Sequence, residues 1–132
     1  MSAHTVIYRG GPIFDGQSIL DDHCVVVQGG LVKGIIPEPA NTETASVVNL
    51  NGDILSPGFV DLQVNGGDGI MLNDDPSVET LRRMANARRT LGATTILPTL
   101  ITDTREKTRA AIAAVNEAIA NGVPGIAGLH LE

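Results

Sequence analysis

Two pairs of polar residues, each with one residue between its members, have side chains suited to ligand binding or metal coordination. Gln63 and Asn65 end one apolar segment. His130 and Glu132 end another. A carboxylate is a good ligand for Zn²⁺ or a similar ion, whereas a neutral amide hydrogen-bonds well but binds a dication weakly beside an imidazole. From residue chemistry alone, a polar strand end that faces solvent remains the alternative for each of them.

The two-residue spacing predicts that each pair lies on one face of a strand, because side chains alternate across a strand. Asp61, Gln63 and Asn65 are predicted to share one face of the first strand. His130 and Glu132 are predicted to share a face of the later strand. In parallel α/β folds, ligands bind at the carboxyl ends of the strands. We therefore expect these side chains to face a common cavity, with His130 as a hydrogen-bonded neighbour rather than a metal ligand.

The segments that must position these residues are predicted to be three strands joined by two helices. Asp75 and Pro76 are predicted to open the first helix, with the aspartate as its cap. Asp103 and Glu106 have the spacing of a capping box and are predicted to open the second helix. The strand–helix alternation favours a parallel sheet with right-handed crossovers. The predicted strands lie within residues 55–67, 93–97 and 125–132.

Each predicted helix has apolar residues at helical spacing, which indicates one buried side. The alanines of the second helix would allow close approach to a sheet. Thr99 is interpreted only as the end of the second strand. The apolar positions are Val78, Leu81, Ala85 and Leu91 in the first helix, and Thr108, Ile112, Val115 and Ile119 in the second.

The first fifty residues are predicted to form a small β unit instead. Gly29-Gly30 between two apolar runs predicts a hairpin, because such turns require positive φ. Residues 37–44 contain two prolines and several polar residues, which predicts a loop. The five predicted strands are Val6–Tyr8, Ile13–Phe14, Cys24–Gln28, Leu31–Ile36 and Ser46–Asn49.

Composition limits the classes of protein to which the chain can belong. Its 132 residues are 42% hydrophobic and 18% charged, which indicates a globular core rather than disorder. A net charge of −6 argues against a general nucleic-acid surface, and the four arginines between positions 82 and 89 are interpreted as a solvated helix face. The single cysteine, Cys24, excludes an internal disulfide. No secretion signal or membrane-spanning run is recognised, so we expect a cytoplasmic protein.

Three motifs in the same order resemble the N-acetylglucosamine-6-phosphate deacetylase family of the amidohydrolase superfamily. The first runs from Pro57 through Gln63-x-Asn65, where most amidohydrolases have His-x-His. The second is the segment 97–102, and the third is the segment 128–132. Because two amides replace the histidine pair, the resemblance implies an enzyme with one divalent metal ion, most often Zn²⁺.

The resemblance implies a fold, an activity and roles for individual residues. The expected fold is α/β, a partial (β/α)8 TIM barrel comprising the first three strands and two helices over residues 55–132, preceded by part of a small β-sandwich over residues 1–54. The expected reaction is hydrolysis of the N-acetyl group of N-acetylglucosamine 6-phosphate to glucosamine 6-phosphate and acetate, in a homo-oligomeric enzyme. Glu132 is expected to bind the metal, and Gln63, Asn65 and His130 to contact substrate or support the ligand.

The catalytic residues of the family have no counterpart in this chain, so the chain alone is expected to be inactive. A closed barrel typically needs about 250 residues, whereas 78 follow position 54. The alternative function is a non-catalytic fragment that self-associates or complements a separate chain with the remaining strands. The alternative fold, a small doubly wound domain, is disfavoured because three parallel strands would leave long apolar edges.

Overall fold

A computed structural model describes residues 4–38 and 43–132, and it divides the chain into two compact units, Met1–Pro57 and Gly58–Glu132. The main sheet of the first unit has the order β5, β4, β1, β6, while β2 and β3 form a separate antiparallel ribbon. Part of the predicted loop at residues 37–44 lies outside the described residues. The strands of this unit are β1 (Thr5–Arg9), β2 (Ile13–Phe14), β3 (Ile19–Leu20), β4 (His23–Gln28), β5 (Leu31–Pro37) and β6 (Ser46–Asn49).

The five strands predicted in the first unit are confirmed to within one residue at each end. The predicted hairpin is also confirmed, because β4 and β5 pair antiparallel around Gly29 and Gly30, whose φ angles are +60° and +78°. The short strand β3 was not predicted. It follows Asp15, whose side chain accepts hydrogen bonds from the N–H groups of Gln17 and Ser18 and so turns the chain back onto β2.

The second unit contains a parallel sheet with the order β11, β10, β7, as the alternating pattern predicted. Strand β10 is three residues longer than predicted, whereas the regular part of the third strand has only two residues. An additional two-stranded ribbon follows the first strand. The elements are β7 (Phe59–Val64), β8 (Gly66–Gly67), β9 (Ile70–Met71), α1 (Val78–Arg89), β10 (Ala93–Leu100), α2 (Arg105–Ala120) and β11 (His130–Leu131).

The predicted helix caps are wrong by one or two residues. Ser77 caps α1, because its hydroxyl accepts a hydrogen bond from the Thr80 N–H at 3.2 Å. Asp75 instead accepts hydrogen bonds from the Ser77 and Thr80 hydroxyls at 2.8 and 2.9 Å and so orients the cap. In α2 the cap is Thr104, not Asp103. Each cap is a hydroxyl residue that lies close to the predicted aspartate.

The buried side of each helix differs in part from the predicted one. Leu91 follows the end of α1 and is 68% exposed, so it does not belong to the apolar face. Ile112 and Ile119 of α2 are also exposed. Small side chains form the buried face of α2 because they allow it to lie close to the sheet and to α1. The buried residues of α2 are Ala111, Ala114, Val115 and Ala118.

The division between the two units falls three residues after the boundary that the sequence suggests. The Leu55 N–H donates to the Pro12 carbonyl at 2.9 Å, and the Leu55 carbonyl accepts from the Phe14 N–H at 2.8 Å. Leu55 therefore belongs to the first unit, and the parallel sheet begins at Phe59. Within the described part of the chain, neither helix is long and apolar enough to span a membrane.

Replacing the α1 cap by Ser77→Ala is expected to lower the free energy of unfolding by about 1 kcal/mol, because the Thr80 N–H loses its partner. Urea unfolding monitored by circular dichroism measures this difference. Ser56→Ala is the matched control at an exposed serine outside the helices. Equal stability of the two variants would contradict the assignment of the cap.

Candidate functional site

The side chains of Gln63, Asn65 and Glu132 converge at the carboxyl ends of the outer strands of the parallel sheet. The Gln63 side-chain amide donates to Oε2 of Glu132 at 3.3 Å. The Asn65 side-chain amide donates to the same oxygen at 3.1 Å. The sheet register produces this meeting, because β7 and β11 flank β10 and all three run in one direction. The structure therefore brings the two amides and the carboxylate together, as the strand pattern predicted.

The main chain of Glu132 is also fixed by neighbouring residues. Its N–H donates to the Leu100 carbonyl at 3.0 Å, which extends the pairing of β11 with β10. The Thr102 hydroxyl donates to the main-chain oxygen of Glu132 at 2.7 Å. The other carboxylate oxygen, Oε1, accepts no hydrogen bond within the described residues. Both the main chain and the side chain of Glu132 are therefore hydrogen-bonded to neighbouring residues.

His130 forms a hydrogen bond to a buried residue of the central strand. Its Nδ1 atom lies 3.2 Å from Oγ1 of Thr99. Thr99 is completely buried and also accepts a hydrogen bond from the Val64 N–H at 2.9 Å. His130 is therefore a hydrogen-bonded neighbour within the sheet, in agreement with the expectation from its position.

Asp61 is on the same strand as the two amides and accepts a hydrogen bond from the main chain beside one of them. Its Oδ1 atom accepts a hydrogen bond from the Gln63 N–H at 3.3 Å. This bond orients the main chain next to the Gln63 side chain.

The loops above the sheet are joined by the side chain of Asn73. Its amide nitrogen donates to the Ile101 carbonyl at 2.9 Å, and its amide oxygen accepts from the Ile101 N–H at 3.0 Å, as a neighbouring strand would. The same amide nitrogen donates to Asp103 at 3.0 Å. Lys107 donates to the Asn73 carbonyl at 2.7 Å and lies 3.5 Å from Asp103. These bonds hold residues 101 and 103 in place. Thr102 lies between them, and its hydroxyl bonds to the main chain of Glu132.

A small cavity of about 170 Å³ lies between this loop and the end of β11. Asp103 and Glu132 supply its two carboxylates. The pKa of the Asp103 carboxyl is held below its ordinary value, first by the Thr104 N–H and then by the Asn73 amide, both of which donate to it. The carboxylate is thus charged over an extended pH range. The cavity is lined by Leu100, Ile101, Thr102, Asp103, Thr108, Leu131 and Glu132.

The residues at the strand ends include one side chain suited to bind a metal ion, which is fewer than a complete metal site needs. No group of three histidine, cysteine, aspartate or glutamate side chains suitable for an ion occurs among residues 4–38 and 43–132. Glu132 supplies a hard carboxylate oxygen, and the amides orient it without adding charge. His4 and His23 belong to the first unit, where Nδ1 of His23 bonds to the Asp21 carbonyl. A complete metal site would need further ligands from outside the described residues.

Sequence reasoning missed Thr99 and Thr102. Thr99 is not merely the end of a strand, because β10 continues to Leu100 and the Thr99 side chain bonds to residues of β7 and β11. A sequence signal exists in Pro98, which lacks an N–H and so marks an irregular position of the ladder next to Thr99. Nothing in the sequence indicates the bond from Thr102 to Glu132, because it depends on the loop conformation.

Relatives that are similar in sequence to this chain are amino-sugar-phosphate deacetylases. The family model described as "NagA composite domain" matches residues 4–55. An N-acetylgalactosamine-6-phosphate deacetylase from a Shewanella species is 44% identical over 119 residues, which cover 88% of this chain and 30% of the relative. An N-acetylglucosamine-6-phosphate deacetylase from Haemophilus influenzae is 34% identical over 120 residues, covering 91% of this chain and 32% of that protein.

A solved structure shows the same arrangement of elements. The crystal structure of N-acetylglucosamine-6-phosphate deacetylase from Pasteurella multocida superposes with a TM-score of 0.92 at 31% identity, covering 96% of this chain and 34% of that chain. The present chain therefore spans about a third of the length of the relatives that it matches.

The lowered pKa of Asp103 predicts a pH-dependent contribution to stability. The contribution is fully present above the ordinary carboxyl pKa of 3.8 and is lost as the pH falls through the lower folded-state value. Asp103→Asn is therefore expected to be less stable than the wild type at pH 7, with a difference that shrinks below pH 3.8. Urea unfolding across this pH range measures it, with Asp74→Asn as an exposed control. A stability difference that stays constant across the pH range would contradict the hydrogen-bonded carboxylate as its cause.

Proposed function

Since this chain belongs to the N-acetylglucosamine-6-phosphate deacetylase family, we propose that the protein of which it forms a part hydrolyses the N-acetyl group of an amino-sugar phosphate, giving the free amine and acetate. The observation that carries the proposal is the orientation of the Glu132 carboxylate by two side-chain amides at the carboxyl ends of parallel strands. That edge is where catalytic groups are placed in barrel enzymes.

Glu132 is the residue of this chain that would hold a divalent metal ion, through the oxygen that the amides leave available. Such an ion polarises the amide carbonyl and lowers the pKa of bound water, which is the chemistry that amide hydrolysis requires. Zn²⁺ is the proposed ion because it accepts a carboxylate ligand beside nitrogen ligands. Gln63 and Asn65 are proposed to hold this ligand in place, since both already donate to its carboxylate.

The proposed fold of the whole protein is a (β/α)8 barrel in which β7, β10 and β11 are the first three strands. Their parallel direction and the two connecting helices support this proposal. The first unit is proposed to be part of a β-sandwich. The other metal ligands, the catalytic base and the phosphate-binding groups that hydrolysis needs would then lie on the remaining strands.

Two amino-sugar phosphates that differ in configuration at carbon 4 are the candidate substrates. The 44% identical relative is named for the galactosamine substrate, and the 34% identical relative for the glucosamine substrate. These sugars differ in the orientation of one hydroxyl, and the cluster of Gln63, Asn65 and Glu132 has no feature that distinguishes the two sugars. We propose N-acetylglucosamine 6-phosphate as the substrate, and its galactosamine epimer as the alternative substrate to be tested. The whole protein is proposed to be a cytoplasmic homo-oligomer.

A second function, complementation of a separate chain, is favoured by the apolar side chains of β7. Phe59, Val60 and Leu62 are 68%, 60% and 62% exposed, and one edge of β7 has no neighbouring strand within the described residues. Another strand could pair there and cover them. Sedimentation of the purified chain tests this function, since a stable monomer that binds no second chain would count against it.

The experiment for the deacetylase proposal places this chain in a complete enzyme. Residues 1–132 replace the matching segment of the Shewanella deacetylase, and acetate release is measured with both sugar phosphates and with added Zn²⁺. The chimera is expected to be active, to lose activity with a chelator, and to prefer one epimer. The 132-residue chain alone is expected to be inactive, because it holds only one proposed ligand.

Substitutions in the active chimera test the assigned roles. Glu132→Gln is expected to lower kcat/KM by roughly 100-fold or more, and Asn65→Ala by about 10–100-fold, the usual effect of losing a group that orients a metal ligand. Asn86→Ala on the exposed face of α1 is the matched control for Asn65. A folded chimera that retains full activity with Glu132→Gln would overturn the proposal.

A further inference from the structure

Thr99 is the polar side chain of the parallel sheet that is fully removed from solvent. A buried hydroxyl is costly unless it forms hydrogen bonds, so its partners indicate what it does. Its Oγ1 atom accepts a hydrogen bond from the Val64 N–H of β7 at 2.9 Å. It lies 3.2 Å from Nδ1 of His130 in β11 and 3.4 Å from the Leu97 carbonyl in its own strand. One oxygen atom thus contacts all three strands.

The register of the sheet is irregular at the place where this hydroxyl lies. Between the pairs Asp61–Ile96 and Val64–Pro98, β7 advances three residues while β10 advances two. This irregularity and the missing N–H of Pro98 interrupt the ladder. Val64 is completely buried, and its N–H donates to the Thr99 hydroxyl at this irregular point of the ladder. The Thr99 side chain therefore links β7 to β10 where the pairing of the two strands is irregular.

The two neighbouring strands that Thr99 contacts, β7 and β11, lead directly to the side chains that meet at Glu132. Val64 lies between Gln63 and Asn65 in the chain. The position of its main-chain N–H therefore affects where the side chains of both neighbours leave the strand. His130 lies two residues before Glu132, on the same face of β11. A shift at either contact would change the separation between the amides and Oε2 of Glu132, which are now 3.3 and 3.1 Å apart.

We propose that Thr99 is a positioning residue: its buried hydroxyl fixes the ends of β7 and β11 at the separation that lets Gln63 and Asn65 hold the Glu132 carboxylate. The significance of this role for catalysis rests on the proposed function. The positioning itself concerns only residues of this chain, and it is tested without metal or substrate.

The test is nuclear magnetic resonance of the 132-residue chain, with the side-chain amide signals of Gln63 and Asn65 as the readout. Thr99→Val keeps the shape of the side chain and removes the hydroxyl. It is expected to move both signals toward their positions in Glu132→Ala, where the acceptor is absent, and to accelerate hydrogen exchange at the Val64 amide. Thr99→Ser keeps the hydroxyl and is expected to restore the wild-type signals.

Thr95→Val is the matched control, because it makes the same substitution in the same strand at a partly exposed residue. It is expected to leave the two amide signals unchanged. Wild-type signals in a folded Thr99→Val chain would overturn the proposal. If Thr99→Val does not fold, the wild-type chain still decides: exchange of the Val64 amide at the rate of an unstructured peptide overturns the proposal, and slow exchange together with rescue by Thr99→Ser supports it.

These outcomes are separate from those of the chimera. Failure of the amide signals to respond removes the positioning role and leaves the deacetylase proposal intact. An inactive chimera, together with amide signals that respond to Thr99→Val, would contradict the deacetylase proposal and leave the positioning role intact.

Discussion

The hydrogen bonds from two amides to one carboxylate oxygen are the constraint on which the site depends. They require the ends of β7 and β11 to lie on the same edge of the sheet, on either side of β10. An antiparallel neighbour would carry Glu132 to the opposite edge. The parallel order in turn requires crossover connections, which α1 and α2 supply. The direction of three strands, rather than any local motif, therefore brings residues 63, 65 and 132 together.

The sequence predicted this arrangement because strand alternation and strand–helix order are short-range signals. The apolar spacing correctly placed Leu81, Ala85 and Val115 in the core. It failed for Ile112 and Ile119, which have the same spacing as core residues and yet face solvent, while alanines form most of the buried face of α2. Helical periodicity identifies a face, but the distance to the sheet selects the size of its side chains. The caps were misplaced for a related reason: aspartate and the nearby hydroxyl residue are both good caps, and only the main-chain conformation distinguishes them.

The Thr99 and Thr102 contacts were beyond the reach of sequence patterns for a different reason. Each depends on a departure from regular structure, an irregular register for Thr99 and a loop for Thr102. Pro98 marks the first departure, but it does not specify which side chain lies beside the buried Val64 N–H. That choice depends on tertiary geometry, because a buried N–H can donate to any nearby acceptor.

Amides at positions 63 and 65 have a physical consequence that a histidine pair would not have. An amide side chain remains neutral and retains its N–H donors across the pH range in which proteins are folded, whereas imidazole changes its charge and its donors near neutral pH. Amides are also weaker ligands for a dication than imidazoles are. The end of β7 instead donates two hydrogen bonds to a carboxylate that follows another strand. The two-residue spacing thus places two neutral hydrogen-bond donors on one face of β7.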